Sequence, residues 1–157
     1  MVRIRKAQDK DLNGVADLLM QVLAIHAEIR PDIFIAGTKK YSDEEILELF
    51  RDETKPVFIA AGEDDEVLGY AICEFRGRAH PENMQPIKTL FIDDLCVDGK
   101  ARGQHIGRAL YEHVCAFAKE QGCYHVTLNV WEGNDSARAF YEKMGFGIME
   151  TTMEKIL

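Results

Sequence analysis

The sequence has 157 residues, enough for one domain with a proper core and too few for two. Its apolar share of 46% and its charged share of 29% are those of an ordinary soluble globular protein. The net charge of −8 argues against nonspecific binding to nucleic acid or to an anionic membrane, and it is compatible with a cationic acceptor such as an amine.

The first quarter of the chain predicts one strand and two helices. Residues 2–7 alternate loosely between apolar and basic side chains, which indicates a short first strand. Apolar residues then recur at helical spacing over residues 12–26, and Pro31 marks the end of that helix. Ser42 and Glu45 form a capping-box pattern, so a second helix is expected to start there.

A hairpin and a loop are predicted next. Pro56–Ala61 and Glu66–Phe75 are strand-like, and the turn Gly62–Asp65 between them indicates an antiparallel pair. Residues 76–88 contain two prolines and are interpreted as a loop.

The second half alternates strands and helices. Leu90–Val97 is an apolar strand that leads through a turn into an amphipathic helix. It is followed by a strand at Val126–Trp131, a short helix at Ser136–Met144 and a last strand at Phe146–Leu157. The order β-α-α-β-β-β-α-β-α-β predicts one α/β domain spanning residues 1–157, with a mixed, mostly antiparallel sheet and helices on both faces.

The turn between the strand and the helix at residues 102–107 has the features of a phosphate site. The start of a helix offers free backbone N–H groups and the positive end of the helix dipole. Gly103 and Gly107 lack a Cβ, so a phosphate can approach the backbone, and Arg102 and Arg108 add positive charge. The pattern is neither a P-loop nor a dinucleotide fingerprint, and a merely flexible turn is the alternative on the glycines alone.

Two motifs together resemble the GNAT superfamily of N-acetyltransferases. Residues 95–110 read L-x-V-x-x-x-x-R-G-x-x-I-G-x-x-L, which is similar to the acetyl-CoA signature of that superfamily. Residues 134–146 read N-x-S-A-x-x-F-Y-x-x-x-G-F, which is similar to the helix after its fifth strand. His105 stands where the superfamily turn has its first glycine, so its side chain must either point away from the pyrophosphate or contact it.

The resemblance implies acetyl-CoA as cosubstrate. It implies that backbone groups of Leu95 and Val97 pair with the pantetheine arm, that N–H groups of residues 102–108 hold the pyrophosphate, and that Asn134 helps to fix the arm. The implied cofactor-binding set is Leu95, Cys96, Val97, Arg102, Gly103, Gln104, His105, Ile106, Gly107, Arg108, Asn134, Ala137 and Tyr141.

The resemblance also implies that Tyr141 is the general acid that protonates the departing thiolate. The base is left open. Asp93 and Asp94 are unusual in an apolar strand, and alternation would send them to opposite faces, so that only one faces the cleft; a structural sheet-end carboxylate is the alternative. Asn129 occupies the position of a glutamate in the related alanine acetyltransferases, and it can only orient a water or the amine.

The leading hypothesis is direct acetyl transfer to a small-molecule amine. The alternatives are a peptide or protein amine, a CoA-binding sensor without chemistry, and a thiol mechanism through Cys96. Dimerisation is common among proteins of this resemblance, and the C-terminal strand is the expected edge.

The cysteines indicate the compartment. Cys73, Cys96, Cys115 and Cys123 have no CxxC spacing and lie in apolar patterns, which is typical of reduced core thiols and not of metal ligands or disulfides. No run is expected to span a bilayer, and the polar start lacks the apolar stretch of a signal peptide. We therefore expect a cytoplasmic protein without a metal site.

Overall fold

The computed structural model describes all 157 residues and contains five strands and four helices. The strands are β1 (Arg3–Lys6), β2 (Val57–Ala61), β3 (Val67–Arg76), β4 (Thr89–Val97) and β5 (His125–Leu128). The helices are α1 (Leu12–Ile29), α2 (Asp43–Arg51), α3 (Ile106–Glu120) and α4 (Asp135–Lys143). The predicted α/β class is confirmed.

The five strands form one sheet in the order β1-β2-β3-β4-β5. The first three pairings are antiparallel, and β4 and β5 are parallel because α3 carries the chain back between them. The expectation of a mixed, mostly antiparallel sheet is therefore correct.

Helices cover both faces of the sheet, as predicted. Apolar residues of α1 and α2 pack on one face against the following buried residues of the sheet: Val57, Ile59, Ala61, Tyr70, Ile72 and Cys96. Apolar residues of α3 pack on the other face against Phe58, Ala60, Ala71, Cys73, Leu90 and Ile92. Strands β2, β3 and β4 thus alternate between two cores, which is why they read as nearly continuous apolar runs.

The starts of the first two helices are fixed by side chains. Ser42 Oγ accepts a hydrogen bond from the Glu45 N–H at 3.2 Å, and Glu45 Oε1 accepts one from the Ser42 N–H at 3.2 Å, so the predicted capping box is present. Asp11 is buried before α1, where it binds the Arg5 guanidinium at 2.7 and 2.9 Å. This pair ties β1 to the first turn of α1.

The expectation that no segment could span a bilayer is wrong for one stretch. Asp9–Ile29 is 21 residues long and apolar enough to do so by length and composition. In this structure α1 packs one face on the sheet, and its residues Val15, Leu18, Leu19, Leu23 and Ala27 are buried.

The predicted last strand is wrong. Residues 147–157 form no strand and make no backbone hydrogen bond. Their strand-like composition is not sufficient, because a strand also needs a partner edge and the chain does not bring this tail into pairing with β5. The tail consequently exposes five apolar side chains: Ile148, Met149, Met153, Ile156 and Leu157.

Candidate active site

A β-bulge in β4 brings both predicted carboxylates to one face of the sheet. Ile72 of β3 pairs with Asp94, and the next residue, Cys73, pairs with Ile92. Asp93 is therefore an extra residue of β4 without a partner. The expectation that alternation separates the two aspartates is therefore wrong, because the inserted residue shifts the alternation by one position. Both carboxylates bind groups on the side of the sheet that α1 covers.

Strands β4 and β5 separate just beyond the bulge. Their parallel pairing ends at Ile92 and Leu128, so Asp93–Val97 face no strand on that side. Unpaired backbone groups at such an edge can bind an extended ligand as an additional strand. Leu95 and Val97, the residues predicted to pair with the pantetheine arm, lie on this open edge.

The turn after β4 borders a cleft between α3 and α4 with a volume of about 310 Å³. Seven of the predicted cofactor-binding residues line it, namely Val97 of the expected pantetheine-binding strand and Arg102, Gly103, His105, Ile106, Gly107 and Arg108 of the expected phosphate-binding turn. Other predicted cofactor residues do not line it: Leu95, Cys96, Gln104, Asn134, Ala137 and Tyr141. Four lining residues were missed in the sequence: Ala101, Phe140, Lys143 and Met144. Helical spacing could have found Lys143, which follows Phe140 by three positions and shares its helix face.

The start of α3 offers free backbone donors to this cleft. The first N–H to bond within the helix is that of Ala109, which donates to the His105 carbonyl at 3.0 Å. The N–H groups of Ile106, Gly107 and Arg108 have no partner in the chain. They carry the positive end of the helix dipole and are positioned to bind a phosphate.

Two cations beside the turn are also free. Arg102 and Lys143 line the cleft and make no ion pair, whereas Arg108 binds Glu112 at 2.7 Å. The turn therefore combines unpaired N–H groups with unpaired positive charge, which together favour an anion.

His105 replaces glycine at a backbone position that favours glycine. It precedes α3 with φ 59° and ψ 23°, in the left-handed region, where a Cβ is strained. Its side chain is exposed and does not cap the helix. The departure from the superfamily pattern therefore costs backbone strain and leaves the cleft open.

Tyr141 is held in a ring stack with its hydroxyl free. Its ring packs between Phe140 and Phe146 at centroid distances of 5.1 and 5.5 Å. Burial, with a smaller contribution from the charge of Asp94, raises the pKa of Tyr141 above its ordinary value. The phenol is therefore protonated at neutral pH, which is the form that a proton donor needs.

The two aspartates of the bulge have different partners. Asp93 accepts hydrogen bonds from Lys40 Nζ at 2.8 and 2.9 Å and from the Tyr41 hydroxyl at 2.7 Å. Asp94 accepts one from the buried Tyr70 hydroxyl at 2.7 Å and pairs with no cation. Burial raises the pKa of Asp94 to about 6. Asp93 is therefore tied to the α1–α2 loop, and Asp94 is the carboxylate free to exchange a proton.

Tyr70 was missed in the sequence analysis. It lies in a strand of apolar residues and reads as a core aromatic. Its contact with Asp94 depends on the bulge, and nothing in the sequence locates that bulge.

Three other predicted site residues have surroundings that bear on their roles. Asn134 Oδ1 accepts from the Ala137 N–H at 3.3 Å and so caps α4, which leaves its amide N–H₂ for a ligand. Asn129 is exposed after the end of β5 and makes no hydrogen bond. Cys96 is buried against the Leu18 carbonyl at 3.6 Å, and burial raises the pKa of its thiol to about 12. The thiol mechanism gains no support, because the nucleophile would have to be a thiolate.

The comparisons with known proteins agree with this geometry. The sequence model of the Acetyltransferase (GNAT) family matches residues 19–146, which include the bulge and both motifs. A mutant of the BH1408 protein from Bacillus halodurans, a solved structure, is 31% identical, covers 99% of both chains and has a TM-score of 0.94.

Curated relatives acetylate different amines. Glucosamine 6-phosphate N-acetyltransferase from Trypanosoma brucei brucei is 37% identical over 40% of this chain and 40% of its own. Peptidyl-lysine N-acetyltransferase YjaB from Escherichia coli is 28% identical over 73% of this chain and 65% of its own. The chain spans 40 to 65% of the length of the first three curated relatives that it matches. From the family match and the shared fold, the chain belongs to the GNAT family of acetyltransferases, whose cosubstrate is acetyl-CoA.

Proposed function

We propose that the protein is an N-acetyltransferase that moves the acetyl group of acetyl-CoA to a primary amine of a small molecule by direct attack. The observation that carries this proposal is the pair of free groups beside the open edge of β4. Asp94 has a carboxylate without a cation, and Tyr141 has a hydroxyl without a partner. A thioester whose pantetheine arm lies along Leu95 and Val97 would continue past Asp94, the residue that precedes Leu95 in β4.

The proposed chemistry uses these two groups in sequence. Asp94 takes a proton from the substrate ammonium, and the neutral amine attacks the thioester carbonyl. As the new C–N bond forms, the C–S bond breaks and the Tyr141 hydroxyl protonates the departing thiolate. The second proton lost from the nitrogen restores the phenol, and Asp94 releases the first proton to solvent, so the products are an N-acetyl amide, CoA and one proton.

The small-molecule acceptor is favoured by Asn129. A carboxylate at that position would provide the base of the related alanine acetyltransferases, and an asparagine cannot take a proton. A peptidyl-lysine acceptor is the alternative, and YjaB gives it a precedent among the relatives.

The test is acetyl-CoA-dependent release of free thiol over a panel of amines that includes a lysine peptide. We expect release that depends on the amine, and we expect Tyr141→Phe to lower kcat about a hundredfold or more while the Kd of acetyl-CoA stays within about twofold. The matched control is Tyr124→Phe, which removes an exposed hydroxyl before β5. Full activity of Tyr141→Phe would eliminate the proposed acid, and binding of acetyl-CoA without thiol release on any amine would favour a sensor.

We also propose that two copies associate through the C-terminal tail, residues 147–157. The tail exposes apolar side chains and has no backbone partner, and the outer edge of β5 is unpaired as well. A second copy supplies the complement of both features by symmetry. Light scattering should give a dimer for the full chain and a monomer when the tail is removed; a monomeric full chain at high concentration would rule this out.

A cytoplasmic location and a single domain remain predictions. All four cysteines are free, and Cys73 and Cys96 are buried. Free buried thiols are typical of proteins in a reducing compartment, which supports the cytoplasmic assignment.

A further inference from the structure

All cations of the α1–α2 loop are already bound to carboxylates of the chain. The pairs are Arg30 with Asp32 and Glu154, Lys39 with Asp43, and Lys40 with Asp93. On the neighbouring sheet surface Arg76 lies over the Phe91 ring at 3.8 Å and faces Glu74 at 3.5 Å. We call the α1–α2 loop, together with Arg76, Asp93 and Asp94, the acceptor end of the site. Its loop cations and Arg76 are all paired, so none of them is left to receive a phosphate or a carboxylate of a substrate.

The turn at residues 102–108, which we call the phosphate turn, has unpaired cations beside it. Arg102 and Lys143 are unpaired there, and three backbone N–H groups are free beside them. The chain thus leaves cations and donors open where a phosphate is to bind. At the acceptor end the loop cations are held in ion pairs, so the two ends differ in the positive charge that they leave open to a ligand.

Aromatic rings connect the α1–α2 loop with α1 on one side and with the segment after β5 on the other. Phe34 of the α1–α2 loop lies 5.2 Å from the His26 ring of α1 and 5.3 Å from the Trp131 ring beyond β5. We call these three residues the aromatic bridge. Trp131 is 37% exposed, so a portion of its ring is open to a ligand. Burial, followed by the charge of Lys40, lowers the pKa of His26, which keeps this ring neutral at neutral pH.

The exposed surface next to the aromatic bridge is also apolar. Ile33 is 47% exposed and Ile35 is 74% exposed, on either side of Phe34. Asp94, next to Asp93 in β4, lacks a cation and can attract an ammonium group.

We infer that the acceptor is a primary amine on an aromatic or aliphatic group that carries no anionic substituent. The inference rests on the proposed function and names its substrate class. An anionic substituent would meet the negative charges of Asp32, Asp93 and Glu154, whose cations are already paired, and would be repelled by them. An aryl group would stack on the open portion of Trp131, a contact with a favourable geometry for rings.

Binding can be tested apart from turnover, because Trp131 is the sole tryptophan of the chain. The protein loaded with CoA is titrated with phenethylamine, propylamine, glucosamine and glucosamine 6-phosphate, and Trp131 fluorescence is followed. We expect a saturable change with phenethylamine at a Kd about tenfold below that of propylamine. Glucosamine 6-phosphate should bind no more tightly than glucosamine, since the two differ only in the phosphate.

Turnover gives the second test. Trp131→Ala should raise the Michaelis constant for phenethylamine about tenfold and leave the Michaelis constant for acetyl-CoA unchanged. The matched control is Tyr124→Ala, which removes an exposed ring before the other end of β5 and should change neither value.

The outcomes separate this inference from the proposed function. A tenfold preference for glucosamine 6-phosphate over glucosamine, or turnover of a lysine peptide without binding of phenethylamine, would overturn the inference and leave the acetyltransferase intact. Binding of phenethylamine at the aromatic bridge without thiol release from any amine would support the inferred ligand class and refute the chemistry. An absence of both binding and release on every amine would refute both.

Discussion

The phosphate turn and the acceptor end use charge in opposite ways. At the turn, Arg102 and Lys143 are unpaired and the N–H groups of α3 are free. At the acceptor end, Lys40 and Arg30 are bound by the carboxylates of their own chain. Both regions contain cations, so the number of positive charges does not separate them; what separates them is whether those charges are already paired within the chain.

Asp94 differs from Asp93 at the acceptor end because it has no cationic partner, and it is the residue that we propose as the base. Its neighbour Asp93 is bound to a lysine and a tyrosine, while Asp94 has one neutral donor in Tyr70. Substituting Asp94 and Asp93 separately therefore gives the strongest test of the contrast between the phosphate turn and the acceptor end.

The largest effect is expected for Asp94→Asn. The isosteric amide cannot accept a proton, so kcat should fall about 10²- to 10³-fold, while the Kd of acetyl-CoA at the distant turn stays unchanged. Steady-state kinetics and calorimetric titration with acetyl-CoA measure the two quantities.

The matched control is Asp93→Asn. It loosens the contacts of Lys40 and Tyr41, so it should raise the Michaelis constant for the amine and change kcat far less. If Asp93→Asn loses kcat while Asp94→Asn retains it, the two roles are reversed.

The pH dependence of kcat is the next test. With a pKa of about 6, Asp94 is protonated below that pH and cannot act as a base, so kcat at saturating amine should rise with pH through about 6. Tyr70→Phe removes the hydroxyl that stabilises the ionised carboxylate, which raises the pKa of Asp94. The acid limb should then move to higher pH by up to about one unit, the equivalent of one hydrogen bond.

Tyr41→Phe is the control for this shift, because its hydroxyl binds Asp93 and not Asp94. Its acid limb should stay in place. An unmoved limb in Tyr70→Phe would mean that another group sets the pH dependence.

Sequence patterns predicted the features that are determined by residues close together in the chain. Alternation and helical spacing gave the order of the elements, and the turn at residues 102–107 could be recognised because helix starts and glycines have the same consequences in any protein. The bulge at Asp93 could not be predicted, since an inserted residue is visible only in its pairing with β3. Tyr70 looked like a core residue because its contact with Asp94 depends on this bulge. The tail was expected to be a strand because its composition is strand-like, whereas strand formation also requires a partner edge elsewhere in the fold.

A smaller effect is expected at the phosphate turn. Arg102→Ala and Lys143→Ala should each raise the Kd of acetyl-CoA about fivefold to tenfold, because each removes one unpaired charge beside the free N–H groups. The effect should shrink at high salt, where exposed charges are screened. Calorimetric titration at low and high salt measures both trends.

Arg108→Ala provides the comparison within the turn. Its guanidinium is already bound to Glu112 at 2.7 Å, so its loss should weaken binding less. Equal losses at all three positions would contradict the view that pairing decides which cations serve the ligand.

The smallest effect concerns His105, the one residue of the turn that departs from the superfamily pattern. Its φ of 59° is strained for a residue with a Cβ, so His105→Gly should increase the free energy of unfolding by up to about 1 kcal/mol. Urea unfolding measures the gain. The exposed imidazole makes no hydrogen bond in the chain, and we expect the Kd of acetyl-CoA to stay within about twofold.

Asp65 offers a control with the same strain and the opposite outcome. It also has a positive φ, 61°, but its carboxylate binds Arg3, Arg5 and Lys10. Asp65→Gly relieves the backbone and loses these pairs, so it should not stabilise the protein. If His105→Gly instead weakens acetyl-CoA binding tenfold, the imidazole is itself a phosphate ligand, and the turn binds through a side chain as well as through its backbone N–H groups.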